Sequence, residues 1–321
     1  QVAENSGKAH QSDVAGGKER LQAMRLQMAS ADAGEQHIAT GRGLQRSDHS
    51  AADSLLTTPK HFAAYGAVAA GLDYNTVDIS PQTLRDVHLP PFKAALDAGA
   101  LTLMSSFNDI NGVPASANRE LLTDLLRGEW KFDGFVVSDY TSDLELIAHG
   151  YARDEADAAK KALTAGLDMS LQSGIYAGHV AALVEQGEIP LAVVDEAVRR
   201  VLHVKAAIGL FDDPYRSLDV ERESDQSHIA AHDALARDCS RRSIVLLKNE
   251  GDVLPLRKSG QRIALIGPFG SDTDNLGGCW NIFGDASRMV DLETGLGAAL
   301  DDPSSLVVVP SSSSRTTMRP V

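Results

Sequence analysis

A carboxylate stands where a short apolar run ends, in the stretch DGFVVSDYTSDLELIAHG at residues 133–150. The run Phe135–Val137 is followed by Ser138, Asp139 and Tyr140. An aspartate in this place can cap a following helix by accepting backbone N–H bonds. It can also act as a nucleophile or as a general base. The role of Asp139 therefore depends on which residue begins the helix.

Two residues further along indicate where that helix begins. Ser142 and Glu145 form an S-x-x-E pair before an apolar-periodic segment, which is the pattern of a capping box. The pair predicts Ser142 as the N-cap, three residues after Asp139. Asp139 is then available to bond loop amides, or to act as a nucleophile or general base near Lys60 and His61.

Strand-like and helix-like segments alternate between residues 55 and 211. Such alternation is typical of parallel βαβ units. Strands are predicted at four places: 55–62, 100–107, 134–139 and 166–172. Helices are predicted at 80–99, 118–130 and 191–211, with Ser80 as an N-cap, a break or restart at Pro90-Pro91, and stops at Gly128 and Gly209.

Polar residues stand at the C-terminal ends of all four predicted strands. They are Lys60 and His61, Asn108, Asp139 and Asp168. In a (β/α) barrel, residues at these ends carry the chemistry. One polar residue at one strand end means little, whereas four in succession predict a functional site. Two roles stay open for Asp168, which could line the pocket or only end its strand.

Four strands are half the number that closes a barrel, and half a barrel has open edges. Residues 1–54 are polar and poorly patterned, with one helix-like segment at 18–31 and no credible buried strand. After residue 211 we predict a linker and helix over 212–240 and the beginning of a second domain over 241–321. Strands are expected in SIVLLKN and RIALIGPFG, and residues 304–321 are expected to be of low complexity.

Composition limits the possible functions. The chain has 321 residues, 43% hydrophobic and 23% charged, as is ordinary for a globular protein. A net charge of −14 predicts no nucleic-acid or membrane partner and suits a neutral substrate. No apolar run approaches the roughly 20 residues that span a bilayer. His228 and His232 lack a third ligand, and GPFG does not match G-x-G-x-x-G, so we predict neither a metal nor a cofactor.

Several blocks in succession resemble one enzyme family. They are TPKHFAAYG, MSSFNDINGVPASAN, LLRGEWKFDGFVVSDY, AGLDMSL, GLFDDPY, SIVLLKNEGDVLPL and IALIGPFG. In this order they are similar to family-three glycoside hydrolases, and among these to periplasmic bacterial β-glucosidases. The resemblance implies an α/β fold: the C-terminal half of a (β/α)8-type barrel at 55–211, then the start of an α/β sandwich domain. It also implies retaining hydrolysis of terminal non-reducing β-D-glucosides or small oligosaccharides, and a periplasmic or secreted location.

The resemblance assigns roles to particular residues. Asp139 matches the family's nucleophile, which attacks the anomeric carbon and forms a covalent glycosyl-enzyme. Lys60 and His61 match the pair that binds sugar hydroxyls. Tyr140 takes the place of the family's tryptophan, where a smaller ring can still pack on a sugar face. Phe107 stands where an active-site aromatic residue is expected.

The chain departs from the family pattern towards both ends. The Asp and Arg of the family's earlier strands have no match in residues 1–54, and the family's acid/base Glu lies beyond the segment covered here. We therefore expect both ends to be truncated or translated out of frame. Two alternatives stay open: a Schiff-base lyase or aldolase that uses Lys60, and a catalytically dead remnant that self-associates through its open edges.

Overall fold

The computed structural model describes most of the chain: residues 34–35, 38–39, 41–221, 227, 229–279, 281 and 284–310. The chain divides into two compact units, Gln1–Ser224 and Asp225–Val321. The predicted helix at 18–31 lies outside the described residues, and so does His228.

Parallel pairing joins the predicted strand regions of the first unit. The described strands are β1 (Thr102–Met104), β2 (Asp109–Ile110), β3 (Val113–Pro114), β4 (Phe135–Val137), β5 (Ile263–Ile266) and β6 (Leu306–Val309). β1 pairs with β4 in parallel, while β2 and β3 form a short antiparallel pair. Single parallel bridges extend the β1–β4 pair on both sides, from Phe62 to Ser105 and from Met169 to Val137. All four predicted strand regions therefore lie side by side in one parallel array.

Helices follow these strands in the chain. They are α1 (Pro81–Thr83), α2 (Pro90–Asp97), α3 (Glu155–Ala165), α4 (Ile175–Glu185), α5 (Leu191–Ala207), α6 (Ile229–Ser243) and α7 (Leu292–Ala299), with π-helical segments at Leu84–His88 and Glu120–Glu129. Short 3₁₀ turns occur at Tyr65–Ala67, Ala69–Gly71, Ala115–Ala117, Leu144–Leu146, Glu250–Asp252, Ala286–Arg288 and Pro303–Ser305. Ser80 Oγ accepts a hydrogen bond from Thr83 N–H at 3.0 Å, which confirms the predicted N-cap.

The predicted helix stops are right in one case and wrong in the other. Gly209 follows α5 with a φ of 74°, a conformation that favours glycine at a helix end. Gly128 does not stop its helix, which runs to Glu129. The hydrogen bonding continues past Gly128 because Trp130 N–H donates to the Leu125 carbonyl at 2.8 Å.

The second unit contains one predicted strand and lacks another. β5 forms as expected from RIALIGPFG and pairs in parallel with β6. β6 lies in the tail that was expected to be of low complexity, so that expectation is wrong for Leu306–Val309, whose β-branched residues favour a strand. The SIVLLKN run forms no strand, and Leu247 is 91% exposed. No strand in the described part of the chain pairs with it.

The core of the first unit lies between the parallel strands and the helices. Its buried side chains are mostly aliphatic and include Phe62, Leu103, Leu122, Leu126, Val136, Leu146 and Leu167. Burying one such side chain contributes about 1.5–3 kcal/mol. A Cβ at Gly134 would overlap the Leu101 carbonyl oxygen, so glycine is required just before β4. This close packing fixes the position of β4 relative to the chain at Leu101. It thereby also fixes the position of Asp139, which follows β4.

Candidate active site

Asp139 lies just beyond the C-terminal end of β4. It is buried, with 8% of its surface exposed. Its Oδ1 accepts a hydrogen bond from Tyr140 N–H at 2.7 Å, and its main-chain carbonyl accepts one from Ser142 N–H at 3.1 Å. The turn after β4 therefore holds one carboxylate oxygen and leaves the other directed elsewhere.

The second carboxylate oxygen of Asp139 lies beside His61. The distance from His61 Nε2 to Asp139 Oδ2 is 2.9 Å. Among the described residues, no donor makes a hydrogen bond of suitable angle to Oδ2. Burial lowers the pKa of His61 below its usual 6.5, and the charge of Asp139 acts in the opposite direction. A buried carboxylate oxygen that no described donor occupies thus adjoins an imidazole that favours its neutral form.

The other predicted site residues surround this pair unevenly. Phe107 is half-buried, and its ring centroid lies 6.4 Å from that of His61. Lys60 precedes His61 in the chain and is exposed. Tyr140 follows Asp139 and is 56% exposed. The structure therefore brings His61, Phe107 and Asp139 together, whereas the Lys60 and Tyr140 side chains reach into solvent.

Two tyrosines that the sequence interpretation missed adjoin Phe107. The ring centroids of Tyr65 and Tyr74 lie 5.8 Å and 4.8 Å from that of Phe107. The Tyr65 hydroxyl donates a hydrogen bond to Asp73, and burial raises the pKa of both tyrosines. Their closeness in sequence to His61 is the signal that could have indicated them.

A cavity of about 730 Å³ adjoins the His61 side of the site. Its lining includes Lys60, His61, Tyr65, Asp73 and His88. These side chains supply an ammonium, two imidazoles, a phenol and a carboxylate. Such a set can both donate and accept hydrogen bonds, as a ligand with several hydroxyl groups requires.

The predicted capping box does not form. The Ser142 hydroxyl is buried and lies 2.8 Å from the Ser116 hydroxyl, so it does not bind the Glu145 N–H. A single 3₁₀ turn, Leu144–Leu146, stands where a longer helix was expected. Asp139 does not cap that turn, as expected, but not because Ser142 does so. Its carboxylate accepts its hydrogen bond from the adjacent loop amide, Tyr140 N–H.

Glu145 contributes a further carboxyl group to this region instead of a cap. Burial raises the pKa of Glu145, and the charge of Asp139 acts in the same direction. The Thr141 hydroxyl, 3.4 Å from Glu145 Oε1, acts against the rise. The Glu145 carboxyl therefore holds its proton to a higher pH than an exposed glutamate does.

Asp168 does not join the other strand-end residues at the site. Its side chain is 1% exposed and is bound by Arg127 at 2.6 Å, by Arg200 at 2.7 Å and by Val136 N–H at 2.8 Å. Of the two roles left open for Asp168, the structure supports the one outside the pocket, because both of its oxygens are occupied. Asn108 is fully buried, and its Nδ2 donates to two backbone carbonyls.

The donor set of this site suits neutral hydroxyl groups better than a metal ion. No cluster of three or more His, Cys, Asp or Glu residues within the described ranges could hold a metal. Separately, none of the helices that the structure describes is long and apolar enough to cross a membrane.

Both units match known domains. Residues 29–204 match the N-terminal domain of glycosyl hydrolase family 3, and residues 244–318 match the C-terminal domain of the same family. The chain belongs to glycosyl hydrolase family 3. The matches also include residues 29–54 and most of the tail, two stretches where the sequence blocks had indicated no family pattern.

Named relatives are glycosidases. The chain is 44% identical over 253 residues to a periplasmic β-glucosidase of Salmonella typhimurium. The aligned region covers 78% of this chain and 33% of that protein. It is 40% identical over 217 residues to a putative β-xylosidase of Formosa agariphila, with 66% and 28% covered. A crystal structure of β-glucosidase from Listeria innocua in complex with glucose superposes with a TM-score of 0.74 at 37% identity, over 87% of this chain and 38% of that one.

These comparisons decide several expectations. The predicted family and the α/β fold class are confirmed, and the hydrolase expectation is supported where the Schiff-base alternative is not. The chain spans about a third of the length of the curated relatives it matches. The predicted division into four segments and the roles of the individual site residues stay predictions.

Proposed function

We propose that this protein takes part in retaining hydrolysis of terminal β-D-glucosides, with Asp139 as the nucleophile. The observation that carries the proposal is the state of Asp139. It is a buried carboxylate at a strand end, and its Oδ2 lies beside His61 without a hydrogen bond from any described residue. A nucleophile needs a lone pair that no other group occupies and a fixed direction, and the Tyr140 N–H bond to Oδ1 supplies the fixed direction.

The reaction proceeds in two displacements at the anomeric carbon. Asp139 Oδ2 forms a bond to that carbon while the bond to the leaving oxygen breaks, and the leaving oxygen takes a proton from a general acid. Water then attacks the same carbon, displaces Asp139 and gives up a proton, so the β configuration is retained. The general acid is not assigned to a residue of this chain.

Neighbouring side chains hold the sugar in this proposal. Lys60 and His61 line the cavity and offer an ammonium and an imidazole to the sugar hydroxyls. The Phe107 ring lies beside the His61 ring, with the two centroids 6.4 Å apart. The exposed Tyr140 ring offers a face to the leaving group.

A glucoside is preferred to a xyloside as the substrate, and the periplasm is the proposed location. The Salmonella periplasmic β-glucosidase is more similar to this chain, and over a larger share of it, than the Formosa putative β-xylosidase. Structural neighbours include β-glucosidases bound to glucose, isofagomine and gluconolactone, each a small ligand.

Turnover of 4-nitrophenyl β-D-glucoside by the purified chain, with the product anomer followed by proton NMR, tests the proposal. The expected first product is β-glucose, with a slower rate on the matched xyloside. A first product of α-glucose contradicts the nucleophile role, because it indicates direct attack by water. No turnover favours the catalytically dead alternative for this chain.

The alternative of a catalytically dead remnant includes self-association of the chain. The observation in its favour is the SIVLLKN run, whose residues Ile244–Leu247 are 61–91% exposed and unpaired within the described structure. Unpaired β-prone segments can associate with a second copy. Sedimentation velocity at two protein concentrations tests this, and a concentration-independent monomer contradicts it.

A further inference from the structure

Asp168 has a full set of partners for both of its oxygens. Its Oδ2 accepts hydrogen bonds from Arg127 Nη2 at 2.6 Å and from Val136 N–H at 2.8 Å. Its Oδ1 accepts one from Arg200 Nη1 at 2.7 Å. With the side chain 1% exposed, this is a buried ion triad without room for a ligand.

The two arginines link Asp168 to separate elements. Arg127 lies in the segment Glu120–Glu129, and Arg200 lies on α5. Arg127 Nη1 also donates to the Phe132 and Gly134 carbonyls, at 2.8 Å and 2.6 Å. The triad therefore fixes the start of β4 with respect to two covering helices.

Main-chain hydrogen bonds from Asp168 and Met169 hold the rest of β4 and the residue that follows it. Asp168 N–H and Met169 N–H both donate to the Val136 carbonyl, at 3.0 Å and 3.1 Å. Ser138 N–H in turn donates to the Met169 carbonyl at 2.9 Å. Asp168 thus belongs to the short segment whose main-chain hydrogen bonds reach Ser138, the residue just before Asp139.

The segment after Asp168 also holds the residues beyond Asp139. Leu171 N–H donates to the Ser138 hydroxyl at 2.8 Å, and Thr141 N–H donates to the Leu171 carbonyl at 3.1 Å. Hydrogen bonds from one short segment therefore reach both sides of Asp139. A displacement of this segment would move the Asp139 carboxylate with it.

The cost of burying these charges makes a purely stabilising role a weak explanation. Burial raises the pKa of the Asp168 carboxyl and lowers the pKa of Arg127 to about 10. Both directions show that the ionised groups lose solvation, and a buried ion pair often contributes little more than apolar residues of the same volume. What the triad supplies, and apolar residues would not, is a fixed hydrogen-bond geometry.

We propose that Asp168, held by Arg127 and Arg200, is a positioning residue that sets the place of the Asp139 carboxylate beside His61. The inference rests on the proposed function for the role of Asp139. The geometric part of the inference does not depend on that function: breaking the triad moves Asp139 Oδ2 away from His61 Nε2, whether or not the chain hydrolyses a sugar.

The His61 ring reports the position of Asp139 without any turnover. The negative charge of Asp139 raises the His61 pKa, Asp73 adds a smaller rise, and Lys60 lowers it. Proton NMR titration of the full chain, with the His61 signal assigned from a His61→Gln variant, measures this pKa. Asp139→Asn sets the reference, because it removes the charge and must lower the His61 pKa.

Two further substitutions complete the experiment. Asp168→Asn is expected to lower the His61 pKa in the same direction as Asp139→Asn. Asp157→Asn is the matched control, since Asp157 also pairs with two cations, Arg153 and Lys161, but on α3. It is expected to leave the His61 pKa unchanged. A folded Asp168→Asn protein with the wild-type His61 pKa overturns the proposal.

A milder variant decides the question if Asp168→Asn does not fold. Arg200→Lys keeps the positive charge but loses the planar donor geometry. It is expected to lower the His61 pKa by less than Asp139→Asn does, and an unchanged pKa overturns the proposal. Failure of the proposed function is separate, because an inactive wild-type chain can still show these shifts.

Discussion

Two aspartates lie on neighbouring parallel segments and behave in opposite ways: Asp139 follows β4, and Asp168 precedes the residue that bridges to β4. Asp139 and Asp168 are each 8% exposed as residues, and each follows an apolar run. Asp139 has one oxygen held by a loop amide and one without a hydrogen bond from the described residues. Asp168 has both oxygens bound by arginines and a strand N–H.

Burial alone therefore does not distinguish a reactive carboxylate from a structural one. The difference lies in where the side chain is directed and in how many donors meet it. Asp139 is met by one amide at its first oxygen, and at its second by a half-buried imidazole that makes no hydrogen bond of suitable angle. Asp168 is met by two guanidinium groups from the covering helices and by a strand N–H, which occupy both of its oxygens.

Removing the Asp139 charge should have the largest effect on turnover. Asp139→Asn is expected to lower kcat on an aryl β-glucoside by about 10³-fold or more, because the amide is a poor nucleophile. The free energy of unfolding should change by less than about 1 kcal/mol, since no ion pair to an arginine is lost. Steady-state kinetics and urea denaturation measure the two quantities.

Asp133→Asn is the control for that substitution. Asp133 is exposed, and its carboxylate Oδ2 lies 3.8 Å from the exposed His203 Nε2. Its kcat is expected to match the wild type. Equal loss of activity in the two variants would contradict the assignment of Asp139.

Removing the Asp168 charge should have the largest effect on stability. Asp168→Asn leaves the partly buried guanidinium groups of Arg127 and Arg200, 12% and 25% exposed, without a carboxylate. Loss of one partner from a buried ion pair costs about 3–5 kcal/mol. Asp157→Asn, at a more exposed pair, should cost about 1 kcal/mol or less. Urea denaturation of both variants tests the contrast, which fails if the two losses are alike.

Sequence patterns could predict the parallel strands but not the different fates of these aspartates. The alternation of apolar runs with helical segments was sufficient to place β1 and β4 and the two bridging segments. Asp168 could not be assigned, because its partners Arg127 and Arg200 are distant in sequence and meet it only in the folded core. The S-x-x-E pattern at Ser142 was misleading, because a buried hydroxyl partner competed with the helix amide.

The exposed ring next to Asp139 should have an intermediate effect. Tyr140→Ala is expected to lower kcat/KM for an aryl β-glucoside by roughly 2- to 10-fold, since an aromatic contact contributes about 0.5–1.5 kcal/mol. Tyr140→Phe keeps the ring and should stay within about twofold of the wild type. An equal loss with an alkyl β-glucoside would show that the ring does not contact the leaving group.

The smallest expected effect is on the pH dependence of stability. Burial lowers the pKa of His61 and of His88 below 6.5, so the unfolded chain binds more protons than the folded one as pH falls through that value. Stability from these groups is complete above pH 6.5 and decreases below it. Tm should therefore be lower at pH 5.5 than at pH 7.5, and His88→Gln should reduce the difference. A higher Tm at pH 5.5, or an unchanged difference in His88→Gln, would contradict this.

Covalent trapping tests the central contrast most directly. A 2-deoxy-2-fluoro-β-glucoside with a good leaving group should add one fluoroglucosyl group to the wild-type chain, and peptide mass spectrometry should place it on Asp139. The Asp168→Asn protein, if folded, should be labelled at the same residue but more slowly. Labelling of any other carboxylate, or undiminished labelling of Asp139→Asn, would contradict the account.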